Sequence, residues 1–126
     1  MQTNTRELVL KQPVEKVYEF IKNPKNYLAG ISGVKFSDKG ASFSVPGFGA
    51  IDANITNLVE NEKVVIYSSK INTSLEAKLY KLEEGTKIQI TSKSDPDCGF
   101  FKNKLILFSI PDLLDSLVKN LKNQKI

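Results

Sequence analysis

Between Gly33 and Lys93 the chain alternates apolar and polar residues with period two, and from Leu105 to Leu121 it changes to helical period. That single change of period constrains the fold more than any other feature. The alternating part is cut into short pieces by turn residues: Asp38-Lys39-Gly40, Pro46-Gly47-Phe48-Gly49, Glu60-Asn61-Glu62, Asn72 and Glu84-Gly85. Turns of this kind join antiparallel neighbours. The pieces between them predict six strands: Val34 to Phe36, Ala41 to Val45, one around Ile51, Ala53 and Ile55, Lys63 to Ile71, one around Leu75, Ala77 and Leu79, and Lys87 to Lys93. The closing stripe of Ile106, Ile110, Leu113, Leu114, Leu117 and Leu121 predicts an amphipathic helix. Pro111 interrupts it, and the reading adopted is a longer helix that starts near Phe101 and kinks at the proline.

Ahead of this run, Thr5 to Lys11 reads as a strand with Leu8 and Leu10 on one face. Pro13 opens a helix, where a missing N–H costs little, and Val14, Val17, Tyr18 and Ile21 recur along it at helical spacing. Asn23-Pro24 ends that helix, and a second short one is predicted from Pro24 to Ala29, closed by Gly30. The predicted order is β-α-α-β-β-β-β-β-β-α, an α+β class. The terminal helix has to cover one face of the antiparallel sheet. A twisted sheet curls around such a helix, and a curved sheet against a straight rod leaves room between them.

The 126 residues are enough for one domain with its own core and too few for two. No apolar run approaches the roughly 20 residues of a membrane span. The polar start Met1 to Thr5 has no signal-peptide core, so the expected location is the cytoplasm. The net charge of +4 comes almost wholly from lysines spread along the chain. Nucleic-acid binding predicts clustered, Arg-rich charge interleaved with exposed aromatics, so no nucleic-acid partner is expected.

Residues 8–10 (Leu-Val-Leu), Pro13-Val14-Glu15-Lys16-Val17-Tyr18-Glu19-Phe20-Ile21 and Asn23-Pro24-Lys25-Asn26-Tyr27 resemble the opening of the START-like, or polyketide cyclase-like (SRPBCC), superfamily. One more residue separates Pro13 from Val17 than in the usual form of that helix. Ile31-Ser32-Gly33-Val34 is similar to the P-G-V stretch of the carbon monoxide dehydrogenase G-like branch, with Ser32 in place of proline. Leu114, Leu117, Leu121 and Lys122 are similar to the superfamily's terminal helix. The resemblance implies a helix-grip fold with a pocket or tunnel under the long helix, used to bind or carry lipids, quinones or polyketide-like molecules. The likeness to the dehydrogenase-linked branch implies instead an accessory or assembly role exercised through the surface.

Residues that can do chemistry are sparse. The chain has no histidine, which removes the commonest general base at neutral pH and the main transition-metal ligand. Cys98 is the only cysteine, has no histidine to activate it, and reads as a packing residue. Glu60 with Glu62, Glu83 with Glu84 and Asp95 with Asp97 lie in turns, where acids bond locally. Asp112 and Asp115 read as exposed helix residues. No cofactor or metal is expected, and binding is favoured over catalysis. A cyclase- or hydrolase-type enzyme would instead need Tyr18, Tyr67 or Tyr80 in a pocket beside a carboxylate.

The candidate site is therefore a cavity. The resemblance puts Tyr27, Leu28 and Ile31 at its mouth, and Phe48, in a turn without a phosphate-binding pattern, is its candidate lip. Its wall is expected from Ile51, Ala53 and Ile55, then Leu75, Ala77 and Leu79, then Ile88 and Ile90. Ile110, Leu114 and Leu117 would close it from the helix side. Thr86, Ser92 and Asn57 are candidates for its few polar contacts. The expected partner is an apolar small molecule. The lysines of Lys119-Asn120-Leu121-Lys122-Asn123-Gln124-Lys125 offer a peripheral membrane or a protein a second point of contact.

Overall fold

The computed structural model describes residues 1–28, 34–37, 40–45 and 49–123, without the side chains of Tyr27, Leu28, Ser37, Phe43 and Val45. The elements follow in the predicted order: β1 (Gln2–Leu10), α1 (Val14–Ile21), α2 (Lys25–Leu28), β2 (Val34–Ser37), β3 (Gly40–Val45), β4 (Gly49–Val59), β5 (Lys63–Ser68), β6 (Thr73–Leu82), β7 (Gly85–Ser94) and α3 (Phe100–Asn123). All seven strands join one antiparallel sheet in the order β1-β7-β6-β5-β4-β3-β2. Successive hairpins build β2 to β7, and β1 returns to close the β7 edge. The sheet curves about α3, as a helix-grip fold does.

β1 begins three residues before the predicted start. Its early inward positions, Gln2, Asn4 and Arg6, are polar, so alternation of apolar residues could not mark them. The ladder to β7 defines them instead, from Gln2 opposite Ser94 to Leu10 opposite Thr86. β5 stops at Ser68, three residues short of the predicted Ile71, because Asn72 adopts a left-handed backbone (φ 43°) and the chain turns before it. Asn72 then fastens three segments. Its side chain accepts from the Tyr67 hydroxyl at 2.9 Å and donates to the Asp95 carbonyl at 3.0 Å, and its own carbonyl accepts from Asp95 N–H at 3.0 Å.

Pro13 sits in an extended conformation ahead of α1, and its carbonyl accepts the first helical bonds from Lys16 and Val17 at 3.1 Å. Val14, Val17, Tyr18 and Ile21 form the buried stripe of α1, which packs against β5, β6 and β7. Asn23 accepts a hydrogen bond from Lys25 N–H at 3.1 Å, so the residue that breaks α1 also bonds the first residue of α2. At the sheet's β1 end, Gly85 lies so close to the Leu10 carbonyl that a Cβ would collide with it. The Thr86 hydroxyl donates to the Gln12 carbonyl at 2.8 Å, tying the β1–α1 link to the β6–β7 turn.

α3 runs unbroken through Pro111. A proline there cannot donate to the carbonyl four residues back, that of Leu107. The Gln2 side chain supplies the missing donor, with Nε2 at 3.0 Å from the Leu107 oxygen. A second tether joins Arg6 Nε to Asp115 at 2.7 Å. The two tethers are four residues apart on β1, roughly 13 Å of strand. They are eight apart on α3, roughly 12 Å of helix. The near-equal spans lay α3 alongside β1 in the same direction, close to one edge of the sheet.

Candidate functional site

The ladders sort the concave face into levels. Val64, Ala77, Ile90 and Arg6 share one level, and Ile66, Leu75, Ser92 and Asn4 share the next. Ser68, Thr73, Ser94 and Gln2 follow. In the other direction lies the level of Leu79, Ile88 and Leu8. The face therefore passes from apolar to polar along the strands. The convex face carries Glu7, Gln89, Lys87 and Tyr80 in contact with one another and with solvent, as expected of a sheet covered on one side.

α3 lies along β1 and α1 packs against β5, β6 and β7, and a pocket of about 40 Å³ remains between them and the sheet. Val64 and Ile66 of β5, Leu75 and Ala77 of β6, and Ile88 and Ile90 of β7 form its wall. Ile21 of α1 and Leu117 and Leu121 of α3 line its other sides. By comparison, an apolar cavity that holds benzene measures about 150 Å³, and one water needs about 10–15 Å³. This pocket is thus smaller than the tunnel implied by the sequence resemblance, and a guest larger than a few atoms extends beyond it or displaces its walls.

Five of the residues expected at the site, Leu75, Ala77, Ile88, Ile90 and Leu117, line this pocket. Leu79, Ile110 and Leu114 are buried in the core cluster instead. Ile51 is buried, with Ala53 and Ile55 half-buried, on β4. There the register shifts between Ile55 and Asn57 and turns the rest of the strand. The shift also corrects the expectation for Asn57, which is exposed to solvent. Tyr27 and Leu28 form part of α2 but their side chains, like Ile31 and Phe48 as a whole, lie outside the described residues. Val64 and Ile66 were hidden in the run Val64-Val65-Ile66-Tyr67, where four apolar residues in a row conceal which two face inward. Their register opposite Ala77 and Leu75 resolves it. Ile21 and Leu121 carried a legible signal as members of their helical stripes.

All eight carboxylates of the four acidic pairs are exposed. The Tyr67 and Tyr80 hydroxyls bond to Asn72 and Gln89 outside the pocket, and Tyr18 is buried in the core cluster. Cys98 is a half-buried free thiol packed against that cluster, donating to the Lys70 carbonyl at 3.4 Å. Among the described residues no three Asp, Glu or Cys side chains gather as a metal site. No helix among them is long and apolar enough to cross a membrane.

No protein-family model matches the chain, and no curated protein matches it in sequence. Solved structures do share its fold. Protein XoxI from Bacillus cereus superposes with a TM-score of 0.66 at 13% identity, over 98% of this chain and 97% of that one. Protein MLL2253 from Mesorhizobium loti gives 0.65 at 12% identity, over 99% and 100%. The Aha1 dimer from Colwellia psychrerythraea gives 0.59 at 18% identity, over 93% and 96%. At such identities the likeness extends to the fold alone, a curved antiparallel sheet gripping a C-terminal helix.

Proposed function

We propose that this chain is a cytoplasmic binding protein of START-like type that holds a small apolar or amphipathic molecule between its sheet and α3. The observation that carries the reading is the pocket under α3, walled by apolar side chains from five elements of a helix-grip fold. The opening residues that resemble the START-like superfamily support it. Because the pocket is only about 40 Å³, a larger guest binds by extending from it or by displacing α3 or α1 from the wall. The test is an NMR titration of the amide spectrum with benzene. Shifts centred on Ile66, Leu75, Ala77, Ile90 and Leu117, abolished by Ala77→Phe, are expected. No saturable shift up to the solubility of benzene would overturn the reading.

A second reading, an accessory protein that docks on a protein partner, is favoured by one surface rather than by the C-terminal lysines. Phe101, Leu105 and Phe108 share a face of α3 and are 84%, 45% and 77% exposed. Exposed charges of both signs on α3, Lys102, Lys104 and Asp112, accompany it, a mixture that suits a protein surface. Recovery of one stoichiometric partner with the native chain, and its loss with Phe101→Ser/Phe108→Ser, is the expected result. An unchanged set of co-purifying proteins would dismiss it.

A further inference from the structure

The polar levels next to the pocket contain groups without partners among the described residues. Ser94 and Thr73 bond to each other at 2.6 Å, and Thr73 donates onward to the Ile71 carbonyl. Gln2 bonds to Leu107, and Thr86 to Gln12. Three buried polar atoms differ: Asn4 Nδ2, Ser92 Oγ and Ser68 Oγ find no hydrogen-bond partner among the described residues. Ser92 is fully buried and Ser68 is 4% exposed. The large majority of buried polar groups are paired, so each orphan calls for an occupant or an explanation.

Their position points to the occupant. Asn4 and Ser92 are opposite one another on β1 and β7, and Ser92 is opposite Leu75, a wall residue of the pocket. Ser68 lies two residues beyond Ile66, another wall residue, on the same face. Adjacent strands are about 4.8 Å apart, so the Asn4–Ser92 pair borders the apolar wall directly. The charge balance narrows the chemistry. Arg6, the cation of the neighbouring level, is committed to Asp115 at 2.7 Å. A carboxamide and hydroxyls can satisfy a carbonyl or an alcohol, but they cannot neutralise a buried carboxylate or phosphate.

We propose that Asn4 and Ser92, with Ser68 one level beyond, bind the uncharged polar end of an amphipathic ligand whose apolar part enters the pocket. The ligand class is a neutral amide, ketone or alcohol rather than a fatty acid anion. This rests on the pocket being a binding site, and the experiment separates the two ideas. The full chain is titrated at neutral pH with cyclohexane, hexanamide and hexanoate, read from amide shifts, in the native form and in Ser92→Ala and Asn4→Leu. Hexanamide is expected to bind about tenfold more tightly than hexanoate, and each substitution to weaken hexanamide by about three- to tenfold while leaving cyclohexane unchanged. If cyclohexane binds but hexanamide shows no preference over hexanoate, or neither substitution weakens it, the polar subsite is refuted and the apolar pocket stands. If no probe binds, both are refuted.

Discussion

The bond between Gln2 and Leu107 makes a strong demand on the energetics of α3. A proline inside a helix costs about 3 kcal/mol relative to alanine, partly through the hydrogen bond it cannot make. Here Gln2 satisfies the carbonyl released by Pro111, at 3.0 Å from a part-buried position. A neutral hydrogen bond contributes about 1 kcal/mol net. Gln2→Met, which keeps the side-chain length and removes the donor, is therefore expected to cost about 1 kcal/mol. Pro111→Ala is expected to gain about 2 kcal/mol, since part of the proline's penalty is already offset. With Ala at 111 its own N–H reaches Leu107, and Gln2→Met then costs almost nothing. At about 2.1 cal/mol/K of unfolding entropy per residue, a chain of 126 residues changes Tm by about 4 °C per kcal/mol. Urea melts of the four forms give the coupling energy directly. Independent sites add to within about 0.3–0.5 kcal/mol. If Gln2→Met costs the same in both backgrounds, Gln2 does not substitute for the missing helical bond and the reasoning fails.

Other outcomes can be read from the same melts. Ser92→Ala removes a buried hydroxyl that has no partner among the described residues, and is expected to raise stability by about 1 kcal/mol in the absence of ligand; a loss of that size would show that the hydroxyl is paired in solution. Gly85→Ala places a methyl against the Leu10 carbonyl at φ +150°, so a loss of at least about 2 kcal/mol is expected; a change near zero would mean that the β6–β7 turn relaxes freely. Asn72→Ala removes two side-chain hydrogen bonds and strains a left-handed backbone, with an expected cost of about 2–3 kcal/mol. Equal stability of that variant in thermal melts would show that the Asp95 segment needs no such anchor.

The fold was legible because each element carries its own period and each turn its own residues. The α1 stripe, the hairpin turns and the α3 stripe each point to one structure without help from the rest of the chain. The site was less legible, for three physical reasons. β1 places Gln2, Asn4 and Arg6 on the concave face, where a pattern rule expects apolar residues, so neither the early start of the strand nor its share of the polar end could be read, although Ser92 on β7 was. Val64 to Tyr67 is apolar throughout, so only pairing with β6 decides that Val64 and Ile66 face inward. The size of the pocket depends on where α3 crosses the sheet. Two side-chain tethers to β1 mark that position, and periodicity carries no trace of them.

Those tethers also indicate where the pocket opens. Gln2 holds α3 at Leu107 and Arg6 holds it at Asp115. Beyond Asp115 the pocket is closed by Leu117 and Leu121, whose contacts are dispersive and can be remade on a guest. Leu117 and Leu121 are therefore the helix contacts that a guest would replace, and amide exchange at residues 118–122 reports on them. A bound neutral amphiphile should slow it, because the guest adds contacts to Leu117 and Leu121 that exist only when the helix closes over it. Uniform protection along α3, unchanged by hexanamide, would mean that the helix behaves as one rigid piece, and entry would then have to occur at a different point on the pocket rim.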